Sequence, residues 1–164
     1  MLFFIKRYIA SIVLLLSIVI SSIEVGMLGK PLSNYINLQL ILIYIFKISN
    51  PNLNFGRGFF LFLISIINDV LNGLLFGTTG ILYFIVFTVA VFQSSIKLRS
   101  IFISEWMSFA ASLIFAYLVF FGLEILHNHH LLFSQVSINL VLTLVTYPVL
   151  WLLLTKIFIK DAIR

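Results

Sequence analysis

Apolar residues dominate the chain in six runs, and the polar positions gather between the runs rather than within them. The runs cover about 8–25, 32–48, 58–76, 79–96, 101–126 and 134–159. None alternates as a lipid-facing barrel strand would, and inside lipid a helix is the other way to satisfy every backbone N–H and C=O. Each run is therefore predicted to be a helix, at or near the length of ~20 residues needed to cross the hydrocarbon layer. Gly29-Lys30-Pro31, Asn50-Pro51-Asn52, Gly77 to Gly80, Lys97 to Ser100 and His127 to His130 supply the breaks. The second run is the weakest, because Asn34, Asn37 and Gln39 fall in its first half.

Composition turns this pattern into a class. The chain is 62% hydrophobic and 9% charged over 164 residues, against roughly 45 to 50% and about 25% in an ordinary soluble domain. The expected fold is an all-α polytopic membrane protein, a single transmembrane domain over 1–164 with about six helices and no soluble domain. The start, Lys6-Arg7 followed by an apolar run, looks like a signal peptide. It reads as an uncleaved first span, since no small-x-small site follows in Ser21-Ser22-Ile23-Glu24. Charge then sets orientation. With six spans, Lys6, Arg7, Lys47, Arg57, Lys97, Arg99, Lys156, Lys160 and Arg164 fall on one side and Lys30 on the other, nine against one. Basic short loops stay in the cytoplasm, so both termini are expected there, with Trp106 and Trp151 towards that interface. The net charge of +5 is thus assigned to membrane orientation, and no nucleic-acid partner is expected.

Little in the sequence suggests catalysis or a cofactor. The chain has no cysteine, which removes thiolate metal sites, disulfides and a thiol nucleophile. His127, His129 and His130 match no metal-ligand spacing and read as a solvated turn. No Ser or Thr stands beside a base, and the Gly77-Thr78-Thr79-Gly80 turn lacks the following Lys of a phosphate loop. No enzyme, metal or cofactor is expected. Glu24, Glu105 and Glu124 lie near run ends, where water is expected to reach them. Pro148 should kink the sixth helix, with Thr143, Thr146 and neighbouring helices re-satisfying the freed backbone.

Asp69 stands apart. It falls about eleven residues into the third run, roughly 17 Å along a helix at 1.5 Å per residue. An ionised Asp at such a depth costs about 2.5 to 3.5 kcal/mol on insertion scales, so it should face the bundle and find a partner. No intramembrane His, Lys or Arg is placed to form a proton relay with it, which favours a structural anchor over a proton site. Asp69, Gly73 and Gly77 are four apart, predicting one helix face, and Gly73-x-x-x-Gly77 would let another helix approach. Ser65 extends that small, polar face one turn back.

The stretch from Leu53 to Tyr83, with Gly56 and Gly58 opening a helix, then Asp69, Gly73, Gly77 and an apolar helix from Gly80, resembles the central signature of the rod shape-determining MreD family. Length, short-looped spans and the basic turn at Lys97 to Arg99 extend the likeness in layout. Two positions depart from the family's pattern: Ile36-Asn37-Leu38 stands where a Pro usually heads the second helix, and Ser65 where a Gly often precedes the Asp. The resemblance implies a non-enzymatic component of the bacterial cell-elongation complex in the inner membrane. It also implies a layout similar to the substrate-binding subunits of energy-coupling factor transporters. Its implied partners are MreC, RodA, a class B penicillin-binding protein and, indirectly, MreB filaments. A vitamin-type transporter subunit is the alternative, with Asn68, Asp69 and Asn72 lining an outward cavity.

Overall fold

The computed structural model describes residues 2–21, 24–25, 30–46, 55–74, 76–95, 102–126 and 133–159. These form six helices: α1 (Leu2–Ser21), α2 (Leu38–Phe46), α3 (Phe55–Asn72), α4 (Thr78–Ser95), α5 (Phe102–Leu126) and α6 (Phe133–Ile159). A two-residue antiparallel pair, β1 (Glu24–Val25) with β2 (Lys30–Pro31), and a 3-10 turn at Leu32–Asn34 lie between α1 and α2. Two helices are long and apolar enough to cross a membrane, α5 over Phe102–Leu123 and α6 over Val136–Leu154. Ser11–Ser21, Gly58–Asn72 and Thr78–Gln93 are shorter apolar helical stretches.

The first two runs differ most from the sequence expectation. α1 stops at Ser21, and Glu24–Val25 leaves the helix to pair with Lys30–Pro31. The second run is divided: the 3-10 turn comes first, and only the nine residues of α2 are α-helical. Nine residues rise about 13 Å, less than half of a hydrocarbon core of ~30 Å. The polar positions explain the division. Asn37 caps α2, its side-chain oxygen accepting the Leu40 N–H at 3.4 Å, as an Asn preceding a helix does. Once started, α2 is enclosed: Leu40 to Ile45 are all buried. It packs against α1, α4 and α6 and forms the centre of the bundle.

Side-chain contacts fix the direction of every helix. Ser21 at the end of α1 meets Gln39 at the start of α2. Asn72 at the end of α3 meets Ser33, and Gln93 near the end of α4 meets Ser104 near the start of α5. Phe102 packs on Trp151 while Tyr117 bonds Asn139, so α5 and α6 run antiparallel. The helices therefore alternate. The starts of α1, α3 and α5 and the ends of α2, α4 and α6 share one end of the bundle. Lys6, Arg7, Arg57 and Lys156 occupy helical positions near that end, and Lys30 lies at the other.

The core is apolar and aromatic. Tyr44, Phe109 and Tyr147 join α2, α5 and α6, with Phe109 stacked on Tyr147 at 4.4 Å and Tyr44 edge-on to both. Large apolar side chains also face outward from α1, α3, α4, α5 and α6, among them Val19, Val70, Phe92, Leu118 and Val145. Pro148 sits inside α6. A proline removes one helical N–H and leaves the carbonyl four residues back without its partner. Here that carbonyl belongs to Leu144, and the Trp106 indole N–H donates to it at 3.3 Å. The two threonines expected to serve it are engaged elsewhere. Thr143 accepts from the Asn37 N–H, and Thr146 donates to the Leu142 carbonyl.

Candidate functional site

The joint between α3 and α4 gathers all five residues singled out in the sequence, and it starts with a helix that stops. α3 ends at Asn72, and Gly73 follows in the left-handed region with φ 64°. Gly73 N–H donates to the Val70 carbonyl at 3.4 Å, and Leu74 N–H to the Asp69 carbonyl at 2.9 Å. These two bonds make a Schellman motif, in which a residue at positive φ closes a helix by satisfying its last carbonyls. Gly77 also has positive φ, 93°, and its carbonyl accepts the Ile81 N–H at 3.1 Å as α4 begins.

The predicted helical face of Asp69, Gly73 and Gly77 is therefore not formed. Asp69 lies in the last turn of α3 rather than at mid-helix, and both glycines belong to the connection. A Gly four residues after a polar position is as good a helix terminator as a packing notch, and here termination wins. Close approach occurs one turn back. A Cβ built on Gly80 would stand 2.9 Å from Ser65 Oγ, so α4 crosses α3 where only hydrogen fits. Ser65 directs its hydroxyl to the Phe62 carbonyl at 2.7 Å, which keeps that surface flat.

The Asp69 carboxylate bridges the two helices. Its Oδ2 accepts the Gly77 N–H at 2.7 Å, and its Oδ1 accepts the Thr79 N–H at 3.2 Å and the Thr79 hydroxyl at 2.6 Å. The Thr79 hydroxyl also lies 3.1 Å from the Ser65 carbonyl. The first N–H groups of a helix lack intrahelical partners and carry the positive end of its dipole. Asp69 thus caps α4 from another helix. Hydrogen bonds to a charged group contribute about 1.5 to 3 kcal/mol each, and the surroundings are dry: Ser65, Asp69, Thr78 and Thr79 are buried. These bonds tie the last turn of α3 to the first turn of α4 and so hold the geometry of the joint.

Compared with known protein families, curated proteins and solved structures, the chain matches none of them.

Two further polar groups bring together residues that the sequence did not connect. One lies at the same end as the joint. Tyr117 donates to Asn139 Oδ1, Thr143 donates to the same oxygen at 3.2 Å, and Asn139 Nδ2 donates to the Ser33 carbonyl at 2.6 Å. Ser33 donates to Asn72, which donates to the Asn68 carbonyl at 2.8 Å and its side-chain oxygen at 3.1 Å. Asn72 thus bonds both Asn68 and Ser33, while Asp69 faces α4. The other group lies at the opposite end. Glu105, expected in water, is buried at 8% exposure, and its Oε2 accepts the Trp151 indole N–H at 2.9 Å. Its place in the first turn of α5 also sets it at the positive end of that helix. Phe102 against Trp151 at 4.8 Å closes the same corner. The signal available in sequence was the pair of Trp residues, since a half-buried indole N–H requires an acceptor. Among the described residues no group of three or more His, Asp or Glu is arranged for a metal ion. His127, His129 and His130 lie outside the described residues, as do the side chains of Glu24 and Glu124.

Proposed function

We propose that this chain is a multi-pass bacterial inner-membrane protein of the MreD kind, a non-enzymatic scaffold of the cell-elongation complex. Among the described residues, Lys6, Arg7, Arg57 and Lys156 lie towards one end of the alternating helices and Lys30 towards the other, which supports retention of the basic end in the cytoplasm. Both termini belong to that cytoplasmic end. The outward-facing apolar side chains meet lipid and partner helices; Ser65, Asn68, Asp69, Thr79, Asn139 and Thr143 turn inward.

The observation that carries the reading is the Asp69 joint. The stretch that resembles the family, Leu53 to Tyr83, contains a hairpin in which one carboxylate caps the next helix and Gly80 packs on Ser65. Such a joint sets the angle between two helices whose outer faces are apolar. Faces of that kind suit membrane partners such as MreC, RodA and a class B penicillin-binding protein, with MreB filaments reached indirectly.

A solute-binding subunit of the energy-coupling factor type is the second reading, favoured by the gathering of Asn68, Asn72, Asn139 and Tyr117 at the end opposite the basic one. Against it, these groups are spent on each other and on Ser33. The deciding experiment is to tag the C-terminus, extract the chain from its native membrane in mild detergent, and identify what co-purifies by mass spectrometry. MreC-like or RodA-like proteins are the expected result. An ATPase with its coupling subunit would replace the scaffold by solute uptake.

A further inference from the structure

The segment Leu32–Asn37 covers a set of polar side chains that a bundle packed only for volume would not contain. Beneath it, Tyr117, Asn139 and Thr143 are buried, on α5 and α6. A bundle core is filled most cheaply by apolar side chains, and a polar one inside it costs free energy unless every group is matched. Here the matching is supplied largely by the segment. Asn139 Nδ2 donates to the Ser33 carbonyl, Thr143 accepts the Asn37 N–H at 2.9 Å, and Ser33 donates to Asn72 at 2.9 Å.

The segment is half-buried at most positions and exposed at Asn34. It packs on α1 and α6 through its 3-10 turn, and Ile36 touches the apolar core. Its three direct links to α3 and α6 are all hydrogen bonds between neutral groups, at the end of the bundle where water can take the place of either partner. Such bonds are worth about 1 kcal/mol each after that exchange. An apolar seal over an apolar floor has no comparable alternative state, because opening it wets both surfaces. A polar floor does.

We propose that Leu32–Asn37 is a strap that closes a polar crevice between α3, α5 and α6, and that it releases as a unit, exposing Asn139 and Thr143 to water while the helices stay packed. Asn37 is the hinge. It caps α2 through its side chain, which also meets Tyr117 on α5, while its backbone N–H holds Thr143. This holds whether the chain serves as scaffold or solute subunit, since no partner enters the argument.

The chain has no cysteine, so one introduced thiol reports one place. The full chain is placed in lipid nanodiscs, open to water on both faces, and labelled with a membrane-impermeant maleimide at Thr143→Cys, beneath the strap, or at Ala90→Cys, wholly buried in α4. Each is measured with and without Ser33→Ala, which removes the hydroxyl link to Asn72. The expected result is slow labelling at position 143 that accelerates about fivefold with Ser33→Ala, the effect of losing one such bond, and no labelling at position 90. Labelling at 143 that is absent, or indifferent to Ser33→Ala, overturns the strap. Parallel acceleration at position 90 overturns it too, because the whole bundle would then be loosening.

Discussion

At the scale of single residues, the structure separates polar groups that hold the fold from polar groups it tolerates. Asp69 holds it. Asp69→Leu leaves the Gly77 and Thr79 N–H groups without their acceptor and the Thr79 hydroxyl with the Ser65 carbonyl alone. A loss of about 3 kcal/mol or more is expected, read by denaturant titration in detergent. Asp69→Asn keeps one oxygen but turns an NH2 group towards one of these donors, so it should fall between leucine and wild type. An Asp69→Leu protein as stable as wild type would remove the cap from the account. Gly73→Ala should cost about 1 to 2 kcal/mol from the positive φ alone, because nothing lies within 4 Å of the added carbon. Tyr147 belongs to the tolerated class. Its ring stacks on Phe109, but its buried hydroxyl has no hydrogen-bond partner among the described residues. Tyr147→Phe keeps the stack and deletes the orphan, so stability should be unchanged or rise; a loss above about 1 kcal/mol would reveal a partner for that oxygen.

At the scale of elements, the long apolar helices were legible because their runs are long and their breaks carry Gly, Pro and Asn. What the sequence hid was which of two roles a residue would take. Asn34, Asn37 and Gln39 marked the second run as weak, but only the packed structure shows Asn37 starting a nine-residue helix. The four-residue spacing of Asp69, Gly73 and Gly77 fitted a helix face and a helix end equally, and the local Schellman bonds decided it. Glu105 looked solvent-exposed because its partner, Trp151, is 46 positions away. The same separation of partners governs α6. Trp106 satisfies the Leu144 carbonyl that Pro148 frees. Trp106→Phe should therefore cost about 1 to 2 kcal/mol in wild type and distinctly less in a Pro148→Ala background, where residue 148 regains its N–H. The two substitutions should be non-additive by about 1 kcal/mol in a double-mutant cycle. Additive costs would show that the indole stabilises by packing alone.

At the scale of the whole molecule, the direction of the helices and the position of the charges are independent observations that agree. Helix direction comes from neutral contacts such as Ser21 with Gln39, Ser33 with Asn72, and Tyr117 with Asn139. The charges come from the sequence alone, and those among the described residues divide the same way, Lys6, Arg7, Arg57 and Lys156 towards one end and Lys30 towards the other. Packing does not require this. A soluble bundle would scatter its basic residues over both ends and would not leave Val70, Phe92, Leu118 and Val145 facing outward. The lipid reading therefore predicts a definite orientation. A fluorescent protein that folds only in the cytoplasm should light up when fused after residue 164. Alkaline phosphatase, active only outside, should be active when fused at residue 76 and inactive at residue 95. The charge balance also says how to disturb the result. Replacing Lys97 and Arg99 with Gln and adding two Lys beside Lys30 changes nine against one to seven against three, which should produce a mixed population of both orientations. If the altered chain keeps a single orientation, the basic positions do not set topology, and the shared end of the helices owes nothing to the membrane.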